Sequence, residues 1–325
     1  MTEDDNSDIV EVTGVSKYYG TKGRIVTALE NVSLNVKRLE NIAIVGETGS
    51  GKTTLGRITC GLETPSRGQV KIDQIESTRY RRTKLWRISQ YIHQDPYGAI
   101  DNLEDVRTIL SRPLRYLLHI KEESEIDEKI IDALRLTGLD ESYINKKGGD
   151  LSGGEKQRIL IARAFISNPK YVVIDEPTTM IDFVHRDEII DTLANMGRNG
   201  NTTLMLITHD IMIVPKIAKK AAVLYRGKII EYGSVENILK KPLHPYTTFL
   251  TSIKVNNLTE NKSLLEYLQT YGKERQVGEP SKKGCVYSSI CPLADAKCKA
   301  QSPDLLEKNQ GHFVACFKSG EFRIV

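Results

Sequence analysis

Apolar residues follow two rhythms along this chain. Between residues 9 and 36 they alternate with polar ones: Ile9-Val10-Glu11-Val12, then Arg24-Ile25-Val26-Thr27, then Val32-Ser33-Leu34-Asn35-Val36. Period-two patterning with polar breaks predicts a small antiparallel sheet. Elsewhere the apolar runs are short and nearly unbroken, as in Ile42-Ala43-Ile44-Val45, Tyr171-Val172-Val173-Ile174 and Leu204-Met205-Leu206-Ile207. Such runs predict buried strands. Gln69–Asp73 and Gln90–Gln94 read as further strands, and Ala221–Tyr225, Arg226-Gly227 and Lys228–Glu231 as a hairpin with a glycine turn. Helical patterning covers Leu55–Cys60, stopped by Gly61, and residues 103–140, interrupted at Pro113 and stopped at Gly138. An amphipathic helix opens after Leu151-Ser152-Gly153-Gly154-Glu155 and ends at Asn168-Pro169. Strands alternating with helices make this an α/β chain.

Chemistry concentrates at the ends of the buried strands. Immediately after Val45 comes Gly46-Glu47-Thr48-Gly49-Ser50-Gly51-Lys52-Thr53-Thr54, the pattern G-x-x-x-x-G-K-[ST] of a phosphate-binding loop. Its glycines let the backbone turn tightly and aim N–H groups at phosphate oxygens. The following helix start adds about half a positive charge. Lys52 can reach β- and γ-phosphates, and the Thr53 hydroxyl can ligate Mg²⁺; Thr54 sits one step further round the helix. A glycine-rich turn with a chance lysine is the bland alternative, and the flanking strand and helix argue against it. The run from Tyr171 ends in Asp175-Glu176. Asp175 can hold Mg²⁺ through water, and Glu176 can polarise an attacking water; a helix N-cap pair is the other reading. His209 follows a third buried run, where a γ-phosphate could be met. In Lys17-Tyr18-Tyr19-Gly20 a tyrosine serves either core packing or an adenine ring.

Composition narrows the class. With 325 residues, 39% hydrophobic and 27% charged, the chain suits one large globular domain plus a smaller one. No apolar run approaches the ~18 residues that span a membrane. The acidic Met1–Asp8 stretch reads as a frayed tail, not a secretory or transit signal, which leads us to expect a cytoplasmic protein. A formal charge of +4 does not argue nucleic-acid binding. The basic, aromatic-interleaved stretch Arg79–Arg87 reads either as a nucleic-acid patch or as the solvated face of a helix. Four of five cysteines, Cys285, Cys291, Cys298 and Cys316, are spaced C-x5-C-x6-C-x17-C. That clustering suggests metal, either a Cys₄ zinc site or an iron–sulfur cluster. Cys60 reads as a small core residue.

Taken in order, the phosphate loop, the LSGGE of Leu151–Glu155, Asp175-Glu176 and His209 resemble the ATPase subunits of ABC transporters, over roughly residues 9–240. Gln94 stands where that family has its Q-loop glutamine, Asp182 its D-loop aspartate, and Tyr19 its adenine-stacking aromatic. The resemblance implies a phosphate-loop (RecA-like) ATPase core with an antiparallel β subdomain and a helical subdomain at about 95–165. It implies two such domains packed head to tail with ATP between them. Residues 46–54, Tyr19 and Asp182 of one, with Ser152, Gly153, Gly154 and Glu155 of the other, would bind the nucleotide. Thr53, Gln94 and Asp175 would hold Mg²⁺, Glu176 would activate water, His209 would contact the γ-phosphate, and Gln94 would signal to the membrane partner.

The remaining chain narrows the resemblance. Lys241-Pro242-Leu243-His244-Pro245-Tyr246-Thr247 and Gln94-Asp95-Pro96-Tyr97 are similar to stretches of oligopeptide, dipeptide and nickel permease ATPases. The resemblance there implies a small C-terminal domain (residues 241–325) whose four cysteines bind a [4Fe–4S] cluster, with zinc as the alternative and His312 structural. It implies a peripheral subunit on the cytoplasmic face of the membrane, working with two transmembrane permease subunits, a second ATPase subunit and an extracellular solute-binding protein, with no nucleic acid. Substrates in such systems are peptides, or nickel or oligosaccharides. Two stretches depart from the family: Thr179-Met180-Ile181-Asp182 replaces its SALD, and Ala99-Ile100-Asp101-Asn102 its SLNP.

Overall fold

Period-two alternation gives a four-stranded antiparallel sheet in the structure, a computed structural model that describes residues 7–21, 24–78, 82–255 and 283–321. Two long strands, β1 (Asp8–Thr21) and β2 (Arg24–Lys37), pair with each other, and β1 continues to β4 (Arg67–Ile72) and β5 (Ile75–Glu76). Where the sequence breaks into three short runs, the strands run on. Register shifts between Val12 and Val15 and between Val15 and Lys17 absorb the irregular positions as bulges.

The unbroken apolar runs form the second sheet. β3 (Ile42–Val45) lies between β8 (Thr203–Thr208) and β9 (Lys220–Tyr225); β8 leads to β7 (Tyr171–Asp175) and then β6 (Ser89–Ile92), all parallel. Alternate residues of these strands join different cores. Ala43, Val45, Val172, Ile174, Leu204 and Leu206 face the helices, while Ile42, Ile44, Tyr171, Val173, Met205 and Ile207 face the antiparallel sheet. Burial on both faces removes the polar alternation. The parallel strands therefore place their carboxyl ends, and the loops after Val45, Asp175 and Thr208, on one edge.

Helix α1 (Lys52–Thr59) follows β3 and stops at Gly61, whose φ of 73° lets Leu62 N–H reach Arg57 O. After the short α2 (Arg82–Ile88), the segment between β6 and β7 carries α3 (Pro96–Ala99), α4 (Val106–Tyr116), α5 (Glu123–Leu136) and α6 (Gly153–Phe165). Pro113 does not interrupt α4; the helix runs through it and ends one turn later, before His119 at φ 59°. Gly138 stops α5 as expected, with Leu139 N–H on Leu134 O. On α2, Leu85 is buried while Lys84 and Arg87 are exposed, which is the solvated-face arrangement; residues 79–81 of that basic stretch lie outside the described residues. α7 (Phe183–Asn199) and α8 (Val214–Ile217) flank β8.

Beyond β8 the chain runs on into the region expected as a C-terminal domain, residues 241–325. β9 turns through Arg226 and Gly227, both at positive φ, into β10 (Lys228–Ser234). After α9 (Val235–Lys240), α10 (Pro245–Val255) and α11 (Ala296–Ala300), strands β11 (Leu306–Asn309) and β12 (His312–Val314) add to the free edge of β10. They extend the eight-stranded sheet, β11-β12-β10-β9-β3-β8-β7-β6. Cys285, Tyr287, Ile290 and Cys298 belong to the same hydrophobic core as α4 to α7. Among the described residues, 283–321 thus shares a sheet and a hydrophobic core with the α/β elements. Residues 256–282 lie outside the described residues.

Candidate functional site

The loop between β3 and α1 is shaped by its backbone. Gly51 has φ 105°, and a Cβ there would lie 2.4 Å from the Ala28 carbonyl, so only glycine fits where the loop presses on β2. The ammonium of Lys52 is buried and donates to the carbonyls of Gly46 and Glu47 at 2.8 and 3.0 Å. Burial pulls the Lys52 pKa below the ordinary amine value, against the opposing pull of Glu176, Asp175 and Glu47. Cys60, at the far end of α1, is a buried thiol pushed up to about 12, inert as a core residue should be.

Glu176 stands just beyond β7 at φ 48°, a left-handed conformation uncommon outside glycine. Its N–H bonds the Ile207 carbonyl, tying it to β8. Its carboxylate lies 3.8 Å from Lys52 Nζ and 2.8 Å from His209 Nδ1, and accepts from the Thr179 hydroxyl at 3.4 Å. The Glu176 side chain is nearly buried while that of His209 is half exposed. Lys52, Thr53, Thr54, Gln94, Glu176, Thr179 and His209 line one cleft of about 280 Å³, with Val26–Ala28 as its other wall.

An adjoining cleft of about 380 Å³ is lined by Thr53, Arg57, His93, Gln94, Asp95, Gly98, Ala99 and Asp175. Asp175 is buried; its Oδ2 accepts from the Tyr91 hydroxyl at 2.6 Å, whereas Oδ1 has no hydrogen-bond partner. Tyr91 is pushed well above the usual phenol range by burial, then by Asp175. A carboxylate oxygen left bare and buried beside a threonine hydroxyl and a glutamine amide is a donor set that suits a hard cation such as Mg²⁺. Ser50 Oγ, inside the phosphate loop, is likewise buried without a partner.

Other motif residues stand apart from this cleft. Tyr19 is 39% exposed, so it is not a core tyrosine. Its hydroxyl donates to Glu63 at 2.8 Å and lies 3.4 Å from Thr54 Oγ1, beside α1. Ser152 caps α6: its hydroxyl accepts from Glu155 N–H, and the Glu155 carboxylate accepts from Ser152 N–H at 2.7 Å. This reciprocal pair fixes the helix entry, and Tyr143 also donates to Glu155. Asp182 is the N-cap of α7 without a side-chain cap bond. Lys156 holds Asn102, in the departing segment 99–102, at 2.8 Å and lies over the Tyr97 ring, joining both to α6.

The four cysteines are all free thiols. Cys285 N–H donates to the Cys298 carbonyl at 2.8 Å. Burial first, then the neighbouring thiols, raises Cys291 to about 12 and Cys316 to about 11. Yet among the described residues no three of His, Cys, Asp and Glu stand as a group able to hold a metal ion. His312 is used structurally, bonded at 2.7 Å to the buried Glu231.

Sequence reasoning missed Tyr91, Thr179 and Tyr246, each bonded to a motif residue. Tyr91 and Tyr246 meet theirs from 84 and 199 residues away, and no local pattern marks such a pairing. Thr179 is only three residues from Glu176, and the turn at Glu176 is what brings it back.

Comparison with known proteins decides the family. The ABC transporter family profile matches residues 29–179, and that of the oligopeptide/dipeptide transporter C-terminal region matches 230–298. A putative peptide import ATP-binding protein of Brucella abortus is 33% identical over 98% of this chain and 99% of its own length. The chain belongs to the ABC transporter ATP-binding subunits, in the oligopeptide/dipeptide importer branch. The oligopeptide transport ATP-binding protein AppF of Bacillus subtilis is 31% identical over 97% of this ABC subunit and 99% of its own length. Among solved structures, a dimeric post-hydrolysis state of the ATP-binding cassette MJ0796, bound to ADP and Pi, superposes with a TM-score of 0.64. It has 28% identity and covers 70% of this chain and 98% of that one. Among the described residues no helix is long and apolar enough to cross a membrane.

Proposed function

We propose that this ABC subunit binds and hydrolyses ATP to energise peptide uptake, docked on the cytoplasmic face of the membrane. Its partners are two transmembrane permease subunits, a second ATPase subunit and an extracellular solute-binding protein. One observation carries the reading. Lys52, Glu176 and His209 meet in one cleft, while Ser152–Glu155 of the same chain do not line it. A site missing its lid suits head-to-tail pairing, in which a partner's α6 N-terminus closes over the phosphates.

The residues divide the work as follows. Phosphates settle on the N–H groups of residues 46–54 and the positive end of α1, and Lys52, its ammonium still donating to the Gly46 carbonyl, gives its remaining N–H donors to the β- and γ-phosphates. Tyr19 presents its ring to adenine. Thr53, Gln94 and Asp175 would hold Mg²⁺, which would neutralise phosphate charge there. Glu176 takes the proton of a water as its oxygen bonds to the γ-phosphorus and the bridging P–O bond breaks. His209, bonded to the same carboxylate, keeps it aimed and meets the γ-phosphate. Thr54, which lines the same cleft, Asp182 and a partner's Glu155 complete the nucleotide contacts.

The [4Fe–4S] cluster or zinc implied for Cys285, Cys291, Cys298 and Cys316 does not fit the thiols as they stand, and no step above depends on it. Iron and zinc analysis of the purified chain decides it: about one cluster or one zinc per chain restores that reading, and neither leaves four free thiols, Cys285 and Cys298 buried and Cys291 and Cys316 partly so.

Extraction of the tagged chain in mild detergent tests the function. Two multi-span proteins and a second ATPase subunit co-purify if the proposal holds. Recovery from the cytosol with ribosomes or RNA leaves the ATPase chemistry but overturns the transport assignment.

A further inference from the structure

The stretch Lys241–Thr247 belongs to none of the catalytic motifs, yet it reaches the phosphate loop. Glu231, fully buried on β10, accepts the N–H groups of Leu243 and His244 at 2.8 and 2.9 Å. His244 Nδ1 in turn accepts the Tyr246 N–H at 3.0 Å. These bonds fix where α10 begins. The Tyr246 ring, with no exposed surface, sits against Tyr225 at 4.7 Å and Tyr287 at 5.6 Å between centroids. Its hydroxyl accepts from the Glu47 N–H at 3.1 Å.

That N–H and the Gly46 carbonyl belong to one planar peptide unit. The carbonyl accepts from Lys52 Nζ at 2.8 Å. Rotating the peptide to seek another partner for the N–H therefore swings the carbonyl off Lys52. The peptide has little room on its other side, since a Cβ on Gly46 would lie 2.2 Å from the Leu224 carbonyl.

We propose that Tyr246 is a positioning residue for the nucleotide site: its hydroxyl fixes the Gly46–Glu47 peptide and, through it, the aim of Lys52. The segment following the ATPase core is thereby part of the phosphate loop's support. The inference rests on the ATP-binding reading above. A tyrosine that only filled core space would lose nothing at the nucleotide site on replacement by phenylalanine.

Tyr246→Phe in the full-length chain separates the two. One net hydrogen bond corresponds to an affinity loss of roughly three- to tenfold. The dissociation constants of MgATP and MgADP rise by that factor, KM for ATP rises in step, and kcat changes less than KM. Amide exchange at Glu47 quickens. Phe249→Leu, on the same helix and equally buried, lowers the melting temperature and leaves nucleotide affinity unchanged. Wild-type affinity and KM in Tyr246→Phe overturn the inference, as does an equal affinity loss in Phe249→Leu. A wild-type chain that binds no MgATP overturns the ATP-binding reading itself, a different outcome.

Discussion

Replacing Glu176 with glutamine keeps the shape of the side chain and removes its charge. The carboxylate lies 3.8 Å from Lys52 Nζ and 2.8 Å from His209 Nδ1, nearly buried. Loss of a general base costs about 10²–10⁴ in rate, or about 3–5 kcal/mol of transition-state stabilisation. Binding responds in the opposite direction. The Glu176–Lys52 attraction is about 4 kcal/mol at an effective dielectric constant of ~20, and its removal frees the Lys52 ammonium for phosphate. The same change also removes a negative charge from beside the incoming γ-phosphate. Glu176→Gln therefore lowers steady-state ATPase kcat at least a hundredfold while MgATP binds as tightly as to the wild type or more so. Phosphate release and equilibrium nucleotide binding, measured on the same preparation, read the two quantities separately. A kcat within about threefold of wild type, well short of what a general base supplies, refutes the role assigned to Glu176. Loss of MgATP binding refutes the charge argument.

Two further expectations follow from single contacts. Ser152→Ala removes half of the capping box on α6 and costs about 1 kcal/mol of stability; ATPase activity of the paired subunits falls with it, and thermal melting alongside turnover checks both. His244 is fully buried, with Nδ1 accepting from Tyr246 N–H and Glu231 and Tyr287 as its neighbours. Burial holds its pKa at about 3, below the ordinary 6.5. The unfolded chain therefore takes up a proton that the folded one refuses, so stability is present above pH 6.5 and falls as pH drops toward 3, by about 2 kcal/mol at pH 5. His244→Asn keeps an acceptor and cannot be protonated, so the slope of melting temperature against pH between 6.5 and 5 flattens; an unchanged slope contradicts the assignment.

The elements nearest the chemistry are legible because their signals are local. Gly51 and Lys52 follow an apolar run and open a helix, and Ser152 with Glu155 spells its own cap within four residues. Asp175 and Glu176 close a run buried on both faces. What the sequence hides is pairing at a distance. Nothing near Tyr91 announces Asp175, and nothing near Tyr246 announces Glu47. Pro113 misleads because a missing N–H near the end of an eleven-residue helix costs one bond and leaves the rest intact. The cysteine spacing suggests metal and says nothing of β12, which pairs with β10, or of Cys285 and Cys298, which lie in the main core. Edge pairing of this kind depends on which strand is left free, and that is a property of the assembled sheet.

The central claim is that ATP hydrolysis by this chain drives peptide import. The direct measurement is uptake of a labelled peptide into proteoliposomes holding the co-purified complex and its solute-binding protein, with MgATP supplied on the face that carries this subunit. The account predicts uptake that requires MgATP and stops in the Glu176→Gln variant. ATP hydrolysis at full rate with no peptide entering, or uptake that persists in Glu176→Gln, contradicts it.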